Sequence, residues 1–203
     1  MKIGIVFRGI TSGKSPTQKK DWTLAKDNIK ENLIGCFPNS RIYFTTYSHE
    51  VLPQVVDFYK PIDVQLIDYN SSDQRKTLFQ SLKHIADKDV DFIFVVRFDM
   101  MYKKKVSEFN INYNKFNFIF RETEPYWTQN KFVSDTFFAF PKNYLVPFME
   151  AVHTEIVQPE RPYSDMHGAY KRLYPIIGNE NIHFMFDGTH RSDNNDYFEI
   201  KRI

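Results

Sequence analysis

The sequence has one cysteine, almost no net charge and no long apolar run, and each of these shortages excludes a class of protein. Cys36 alone cannot form a disulfide within the chain and fits a reducing compartment. The 27 basic and 25 acidic residues leave a net charge of +2, unlike the strongly basic profile of nucleic-acid-binding proteins. No stretch approaches the ~20 apolar residues of a membrane helix, and the apolar N-terminal stretch is too short for a signal peptide. We therefore expect a soluble, cytoplasmic protein with no nucleic-acid partner.

Aromatic residues are abundant instead. They make up 17% of the chain, and hydrophobic residues as a whole make up 42%, which is typical of a folded protein. The 203 residues suffice for one domain with a sizeable core. Neither a repeat nor a low-complexity segment nor a clear linker interrupts the sequence. We predict a single domain over residues 1–203.

Predicted strands and helices alternate through the first half of the chain. Gly35 is expected to end the first helix, Pro147 is tolerable only near the first turn of the third, and Pro175 is expected to end the fourth. The alternation predicts an α/β sandwich whose central, mostly parallel sheet is flanked by helices. The predicted strands cover residues 2–7, 41–47, 64–69, 91–99, 116–121, 135–141 and 182–187, and the predicted helices cover 21–35, 74–89, 143–153 and 164–175.

The segment FRGITSGKS, residues 7–15, differs by one residue from a nucleotide-binding P-loop. That motif needs a glycine, four further residues and then Gly-Lys-Ser or Gly-Lys-Thr. Counting back from Gly13 places the first glycine at residue 8, but the sequence has Arg8 there and the glycine is Gly9. Arginine is a poor substitute, because backbone N–H groups at that position turn inward around the phosphates. The motif fails, so the sequence leaves open which ligand this loop holds.

Polar residues follow three predicted strands, and ligands of parallel α/β sheets bind beyond such strand ends. If the strands are neighbours, the segments 8–13, 45–48 and 97–99 converge. Alternation along the strand places Arg97 and Asp99 on the same side. A carboxylate at this position can hold Mg²⁺ or Mn²⁺, but an Arg–Asp pair that closes the strand accounts for the same two residues.

Three stretches resemble glycosyltransferases of the GT-A type, whose fold is Rossmann-like. KIGIVFRGIT, the helix after it and SRIYFTTYS resemble the opening strand, helix and second strand of these enzymes. VDFIFVVRFDMMY resembles their metal-site strand, which carries Asp-x-Asp in many members and Arg-x-Asp in some. FVSDTFFAFPKNYLVPFMEAV resembles the later segment that faces the acceptor. The chain is similar in particular to small glycosyltransferases encoded by chlorella viruses, which would place it in the host cytoplasm.

The resemblance implies a hexosyltransferase that moves a sugar from a nucleotide-sugar donor to a glycan or glycoprotein acceptor. A UDP-sugar such as UDP-glucose is favoured as the donor, and a bound Mn²⁺ or Mg²⁺ ion is expected to assist. The nucleotide would bind to the half of the domain formed by residues 1–100, approximately, and residues 101–203 would face the acceptor. The oligomeric state is left open.

The same resemblance assigns roles around the nucleotide. Asp99 matches the second aspartate of Asp-x-Asp, which binds the metal. Arg97 stands in the place of the first aspartate, and its planar guanidinium is suited to neutralising the diphosphate directly. Arg8, Gly9 and Thr45 match the loops that surround the nucleotide.

Four further residues are candidates for the reaction. Asp135 precedes a strand in the acceptor-facing segment and is a candidate for the base that takes the acceptor proton in an inverting transferase; beginning a strand or capping a turn is the alternative. Asp165 is a second catalytic candidate, although it or Ser164 also suits a helix cap. His190 is a candidate metal ligand and Arg191 a candidate diphosphate ligand, unless both are simply exposed.

Two other functions remain compatible with the sequence. A nucleotide-dependent kinase with a degenerate P-loop would use Lys14, Ser15 and Asp99. A non-catalytic carbohydrate-binding module of the same fold would explain why Arg97 replaces an aspartate. Trp127 is a candidate platform for the acceptor sugar, although aromatic residues serve equally well in the core.

Overall fold

A computed structural model describes residues 1–9, 22–68, 73–158 and 166–201. Within these ranges the chain forms eleven β-strands and six α-helices. The strands are β1 (Ile3–Gly9), β2 (Arg41–Tyr47), β3 (Asp63–Ile67), β4 (Phe92–Arg97), β5 (Met100–Tyr102), β6 (Phe116–Phe118), β7 (Arg121–Glu122), β8 (Phe138–Pro141), β9 (Ile182–Phe184), β10 (Thr189–His190) and β11 (Phe198–Ile200). The helices are α1 (Thr23–Asn32), α2 (Leu52–Tyr59), α3 (Gln74–Ala86), α4 (Tyr126–Asn130), α5 (Leu145–Val157) and α6 (Ala169–Ile177).

Seven of the described strands form the central sheet, in the order β3-β2-β1-β4-β8-β6-β9. Strands β3, β2, β1 and β4 are parallel to one another, and β8 is antiparallel to both of its neighbours. Because β8 runs the other way, the residues that enter it lie at the same edge of the sheet as the residues that leave β1 and β4. The sheet therefore brings residues 134–136 to the carboxyl ends of those two strands.

Helices cover both faces of this sheet. Alternate residues of β1 belong to different cores: Phe7 packs with buried residues of α1 and α2, whereas Val6 packs with buried residues of α3 and α5. Since both faces are covered, the central strands are apolar throughout rather than alternating, as in β4, where Phe92 to Val96 are all buried. The predicted α/β sandwich with a mostly parallel sheet is thus confirmed.

The predicted strands recur with shifted boundaries. Residues 41–47 are a strand as predicted, but the predicted strand 116–121 divides into β6 and β7. The predicted strand 135–141 begins at Phe138. Before it, the carbonyl oxygen of Asp135 accepts from Arg8, and the hydroxyls of Ser134 and Thr136 bond to each other. The two short pairs β10–β7 and β11–β5 lie outside the central sheet and have no counterpart in the prediction.

The predicted helices differ mainly at their ends. Pro147 lies in the first turn of α5, as the prediction required. Pro175 does not end α6 but lies inside it; the helix ends at Gly178, whose φ of +82° favours glycine. Because α6 begins after Gly168, the prediction that Ser164 or Asp165 caps it is wrong.

Two further differences concern the first third of the chain. Helix α1 ends at Asn32, and Gly35 lies in a short 3₁₀ turn after it. Helix α2 was absent from the prediction. It has two buried residues, Val55 and Tyr59, one turn apart, so a short helix buries one narrow apolar face. Among the described helices none is both long and apolar enough to cross a membrane.

Candidate functional site

Two arginines lie side by side where β1 and β4 end, the buried Arg8 and the half-buried Arg97. Arg8 and Arg97 are Cα partners in the parallel register of these strands, and residues in register project to the same face of a sheet. Four further charged groups surround them. We call the whole set the charged cluster: Arg8, Arg97, Asp99, Glu122, Asp135 and His167.

The Arg8 side chain is 3% exposed and only partly satisfied. Its Nη2 donates to the backbone carbonyl oxygen of Asp135 at 2.5 Å. Its Nε is buried and has no hydrogen-bond partner among the described residues. Burial lowers the pKa of Arg8 to about 10, against the opposing attraction of the Asp135 and Asp99 carboxylates. The site therefore contains a buried cation with an unused donor, which is costly unless a ligand or another group meets it.

Arg97 forms a two-pronged ion pair with Asp99. Its Nε and Nη2 donate to the two carboxylate oxygens at 2.8 and 2.7 Å. Burial alone would lower the pKa of Arg97, but the carboxylates of Asp99 and Asp135 outweigh it and the pKa is raised. The Nη1 group is not used in this pair, so Arg97 keeps N–H donors for a further anion.

Asp135 is the buried anion between the cations. It is 4% exposed, and its Oδ2 accepts the backbone N–H of Met166 at 3.4 Å. Burial alone would raise its pKa, but His167, Arg8 and Arg97 together hold the pKa below the usual value. A carboxylate with a lowered pKa is a weak proton acceptor. Its surroundings suit it first to stabilising neighbouring cations, and its role as a base stays a prediction.

His167 and Glu122 complete the charged cluster, and neither was predicted from the sequence to be a site residue. The Nδ1 of His167 lies 3.3 Å from Oε1 of Glu122 and 2.9 Å from the carbonyl oxygen of Val133. Burial alone would lower the pKa of His167, but Asp135 and Glu122 raise it to about 10, so the imidazole is protonated at neutral pH. Glu122 also accepts the hydroxyl of Ser192. These partners are 30 to 70 residues apart, so no local spacing could have revealed them.

The other predicted nucleotide ligands have different surroundings. Gly9 has a φ of +96°, and its carbonyl oxygen accepts the hydroxyl of Thr46. Thr45 is fully buried beneath α3, where its hydroxyl meets Nδ1 of His84 at 3.1 Å. The side chain of Arg191 is 69% exposed and pairs with Asp193. Thr45 is the Cα partner of Arg8 in the register of β1 and β2. Within the described ranges, however, no side-chain hydrogen bond or ion pair joins Thr45 or Arg191 to the charged cluster, and their nucleotide roles stay predictions.

The described residues do not form the expected metal site. These residues contain no group of three or more His, Cys, Asp and Glu side chains that could hold an ion. Both oxygens of Asp99 already face the Arg97 guanidinium, and Nε2 of His190 bonds to the carbonyl oxygen of Asp187. A cation at Asp99 would have to compete with an arginine at hydrogen-bond distance.

Part of the predicted site falls outside the described residues. Asp165 belongs to the segment 159–165, and the Gly-Lys-Ser sequence belongs to the segment 10–21. The catalytic role of Asp165 and the phosphate contacts of the loop therefore stay predictions. The described part of the site consists of the charged cluster and Gly9.

Comparisons of the sequence with protein-family models and with curated proteins find no match. Solved structures do match the fold. The nucleoside-diphosphate-sugar pyrophosphorylase from Vibrio cholerae RC9 is 15% identical, with a TM-score of 0.55 over 90% of each chain. A protein of Desulfovibrio desulfuricans G20 described as a nucleotide-diphospho-sugar transferase is 7% identical, with a TM-score of 0.51 over 86% of this chain and 76% of that chain.

At such identities the likeness establishes the fold alone. The relation to chlorella-virus enzymes is not shown and stays a prediction. The chain therefore has the GT-A-like α/β fold seen in nucleotide-diphospho-sugar enzymes.

Proposed function

We propose that this protein is a glycosyltransferase that moves a sugar from a nucleotide-sugar donor, with a UDP-sugar favoured, to a glycan or glycoprotein acceptor. The observation that carries the proposal is the pair of arginines at the carboxyl edge of a GT-A-like sheet, the buried Arg8 and the half-buried Arg97. In open α/β sheets this edge is where nucleotides bind. The fold of the two structural neighbours supports the choice of a nucleotide sugar over other nucleotides.

The proposed task of the arginines is to hold the diphosphate. Arg97 has a free Nη1 group beside its pair with Asp99, and Arg8 has an unused Nε–H. Guanidinium groups bind phosphate oxygens through two parallel N–H donors and remain charged at any physiological pH. As the bond between sugar and diphosphate breaks, negative charge develops on the departing diphosphate, and fixed cations there stabilise it without rearranging.

The proposed stabilisation of the diphosphate relies on the arginines and not on a metal ion. Arg97 stands in the place where the resemblance expects an aspartate, and it supplies positive charge at the same strand end. Binding of Mn²⁺ or Mg²⁺ at Asp99 stays a prediction. For the acceptor proton, Asp135 and Asp165 remain the candidate bases of an inverting reaction.

A second candidate function is nucleotidyl transfer, because one structural neighbour is a pyrophosphorylase. In that reaction a sugar phosphate oxygen attacks the α-phosphorus of a nucleoside triphosphate, and diphosphate leaves. The two reactions release different products, UDP from a UDP-sugar and diphosphate from UTP. The kinase alternative is not favoured, since both neighbours act on nucleotide sugars and the P-loop motif fails at Arg8.

The test begins with calorimetric titration of the whole protein with UDP-glucose, GDP-mannose and ATP, each with Mn²⁺ and with EDTA. We expect a nucleotide sugar to bind, and Arg97→Gln to weaken it by about tenfold or more because a charged pair is lost. Arg41→Gln is the matched control, since Arg41 begins β2 at the opposite edge of the sheet and bonds to Asp89 there. Binding of ATP alone, or equal binding by the Arg97 variant, would contradict the proposal.

Product analysis then separates the two transfer reactions. Release of UDP from UDP-glucose that rises with an added glycan acceptor supports the glycosyltransferase. Release of diphosphate from UTP and glucose 1-phosphate supports nucleotidyl transfer instead.

A further inference from the structure

A second cationic site lies directly behind the charged cluster, on the outer side of β7. Arg121 and Glu122 are consecutive residues of this strand, so their side chains project to opposite sides. Glu122 contacts His167 of the charged cluster. Arg121 instead projects among aromatic rings. We call this second site the Arg121 patch; it consists of Arg121, Trp127, Lys131 and Phe184.

Aromatic faces hold the two cations of the Arg121 patch. The guanidinium carbon of Arg121 lies 4.1 Å from the ring centre of Phe184 and 5.3 Å from that of Trp127. The ammonium of Lys131 lies 4.9 Å from the Trp127 ring. Cation–π contact fixes the position of a charge without using its N–H donors. The rings therefore orient the Arg121 guanidinium and leave its donors available.

Neither cation is neutralised by a residue that the structure describes. Within the described ranges, Arg121 and Lys131 have no ion pair and no side-chain hydrogen bond. Glu124, which lies just before α4, instead accepts the backbone N–H and the hydroxyl of Thr128. Arg121 is half-buried and Lys131 is exposed, so both are accessible from solvent. Two unpaired cations on an aromatic base are complementary to an anion.

Exposed tyrosines extend the Arg121 patch to either side. Tyr126 is 49% exposed, and Tyr174 is 41% exposed and stacks on Tyr170 at 5.3 Å between ring centres. Tyr170 in turn contacts Trp127. Exposed aromatic rings pack against the apolar C–H faces of sugars and offer hydroxyls at their edges. The surface therefore combines a site for an anion with rings suited to the sugar units beside it.

We propose that the Arg121 patch binds an acidic acceptor saccharide, one whose sugar carries a carboxylate or a phosphate group. This inference rests on the proposed glycosyltransferase function, because the patch is an acceptor site only if a sugar donor binds at the charged cluster. The two sites are linked by backbone: Arg121 bridges to Val133, and the carbonyl oxygen of Val133 accepts from His167. A saccharide anchored at Arg121 would then be separated from the charged cluster by the single strand β7.

The first experiment measures saccharide binding alone, by calorimetry at low salt, with no nucleotide present. The probes are a galacturonic acid trisaccharide, a neutral galactose trisaccharide, mannose 6-phosphate and a short single-stranded oligonucleotide. We expect the uronate or the phosphosugar to bind and the neutral trisaccharide to bind at least about tenfold more weakly, since the charge-assisted hydrogen bonds are missing. Affinity should fall as salt is added. Preference between the two acids identifies the anionic group.

Variants locate the site. Arg121→Gln combined with Lys131→Gln should reduce acidic-saccharide binding by about tenfold or more while leaving UDP-glucose binding unchanged. The matched control is Lys26→Gln with Lys30→Gln, which removes the same charge from a similar cation–aromatic contact with Phe58 on α1 and α2. Arg121→Lys keeps the charge but loses the planar fork, so it should bind with intermediate affinity.

The outcomes separate this inference from the proposed function. Equal binding of the acidic and neutral trisaccharides, equal loss in the control variant, or tighter binding of the oligonucleotide would overturn the acidic-acceptor site. Failure of UDP-glucose to bind would overturn the proposed function while leaving the saccharide titration interpretable. Circular dichroism of each variant shows whether it is folded.

Discussion

Replacing His167 by glutamine should flatten the dependence of folding stability on pH between about 7 and 9.5. The imidazole is enclosed by Asp135 and Glu122, and these carboxylates raise its pKa to about 10 despite its burial. In an unfolded chain the pKa of histidine is about 6.5. The proton is therefore bound far more tightly in the folded protein than in the unfolded one.

The sign of the effect follows from this difference. Below about pH 6.5 both states carry the proton, so the full stabilisation is present. As the pH rises, the unfolded chain loses its proton first, and the free energy of unfolding falls by about 1.4 kcal/mol per pH unit. The fall ends when the folded imidazolium also titrates, near pH 10. The total is on the order of 3 to 5 kcal/mol, a large share of the ~5–15 kcal/mol by which domains are stable.

Urea denaturation followed by tryptophan fluorescence at pH 6, 7, 8 and 9 measures this slope. Burial raises the pKa values of Tyr59 and Tyr102, so these tyrosines destabilise the fold only above the range used. The control is His153→Gln, which removes a histidine from the exposed side of α5. A wild-type protein with no slope, or a His167 variant that keeps it, would refute the arrangement of the charged cluster.

Four further outcomes are expected. Asn117→Asp should cost about 3 kcal/mol or more in thermal denaturation, because the buried amide donates to three carbonyl oxygens that a carboxylate would repel; an unchanged melting temperature would contradict this. Phe148→Ala should cost about 3–5 kcal/mol in urea, since its ring packs against three other buried phenylalanines, and a loss below about 1 kcal/mol would mean that the core is loosely packed. Gly9→Ala should cost about 1–2 kcal/mol through its φ of +96° alone, because no atom lies within 4 Å of the added Cβ; a neutral result would mean that this φ is not adopted. Because Arg97 occupies both oxygens of Asp99, the affinity for UDP-glucose should differ by less than about twofold between EDTA and Mn²⁺. Loss of binding in EDTA would support the metal site instead.

Much of the fold could be read from the sequence because local patterns carry it. The buried strands β1, β2 and β4 are short runs of apolar, β-branched and aromatic residues bounded by polar ones, and these runs identify them. Helix α2 was not predicted because it is short and its apolar residues do not stand out from the neighbouring sequence. Pro175 was misjudged because tertiary packing keeps α6 helical beyond a residue that usually ends a helix.

Only part of the candidate site could be predicted from the sequence. Arg8, Arg97, Asp99 and Asp135 stand at predicted strand ends, so the topology of the sheet suffices to bring them together. His167 lies in a loop before α6, and its importance depends on contacts with residues more than 30 positions away. The sequence allowed the pairing of Arg97 with Asp99 as an alternative to metal binding. The N–O distances of 2.8 and 2.7 Å in the structure favour the pairing.

The charged cluster also has a consequence for the order in which the protein can assemble during synthesis. Strands β1 to β4 are complete once residue 97 has been made, and their parallel pairing needs nothing that follows. Arg97 can pair with Asp99 at once, but Arg8 must wait for Asp135, and Asp135 must wait for His167, before each charge is matched. The nascent N-terminal half thus has an edge whose charges are unbalanced until the last quarter of the chain emerges from the ribosome. We expect that edge to remain hydrated until then, so its charges are matched only in a nearly finished protein.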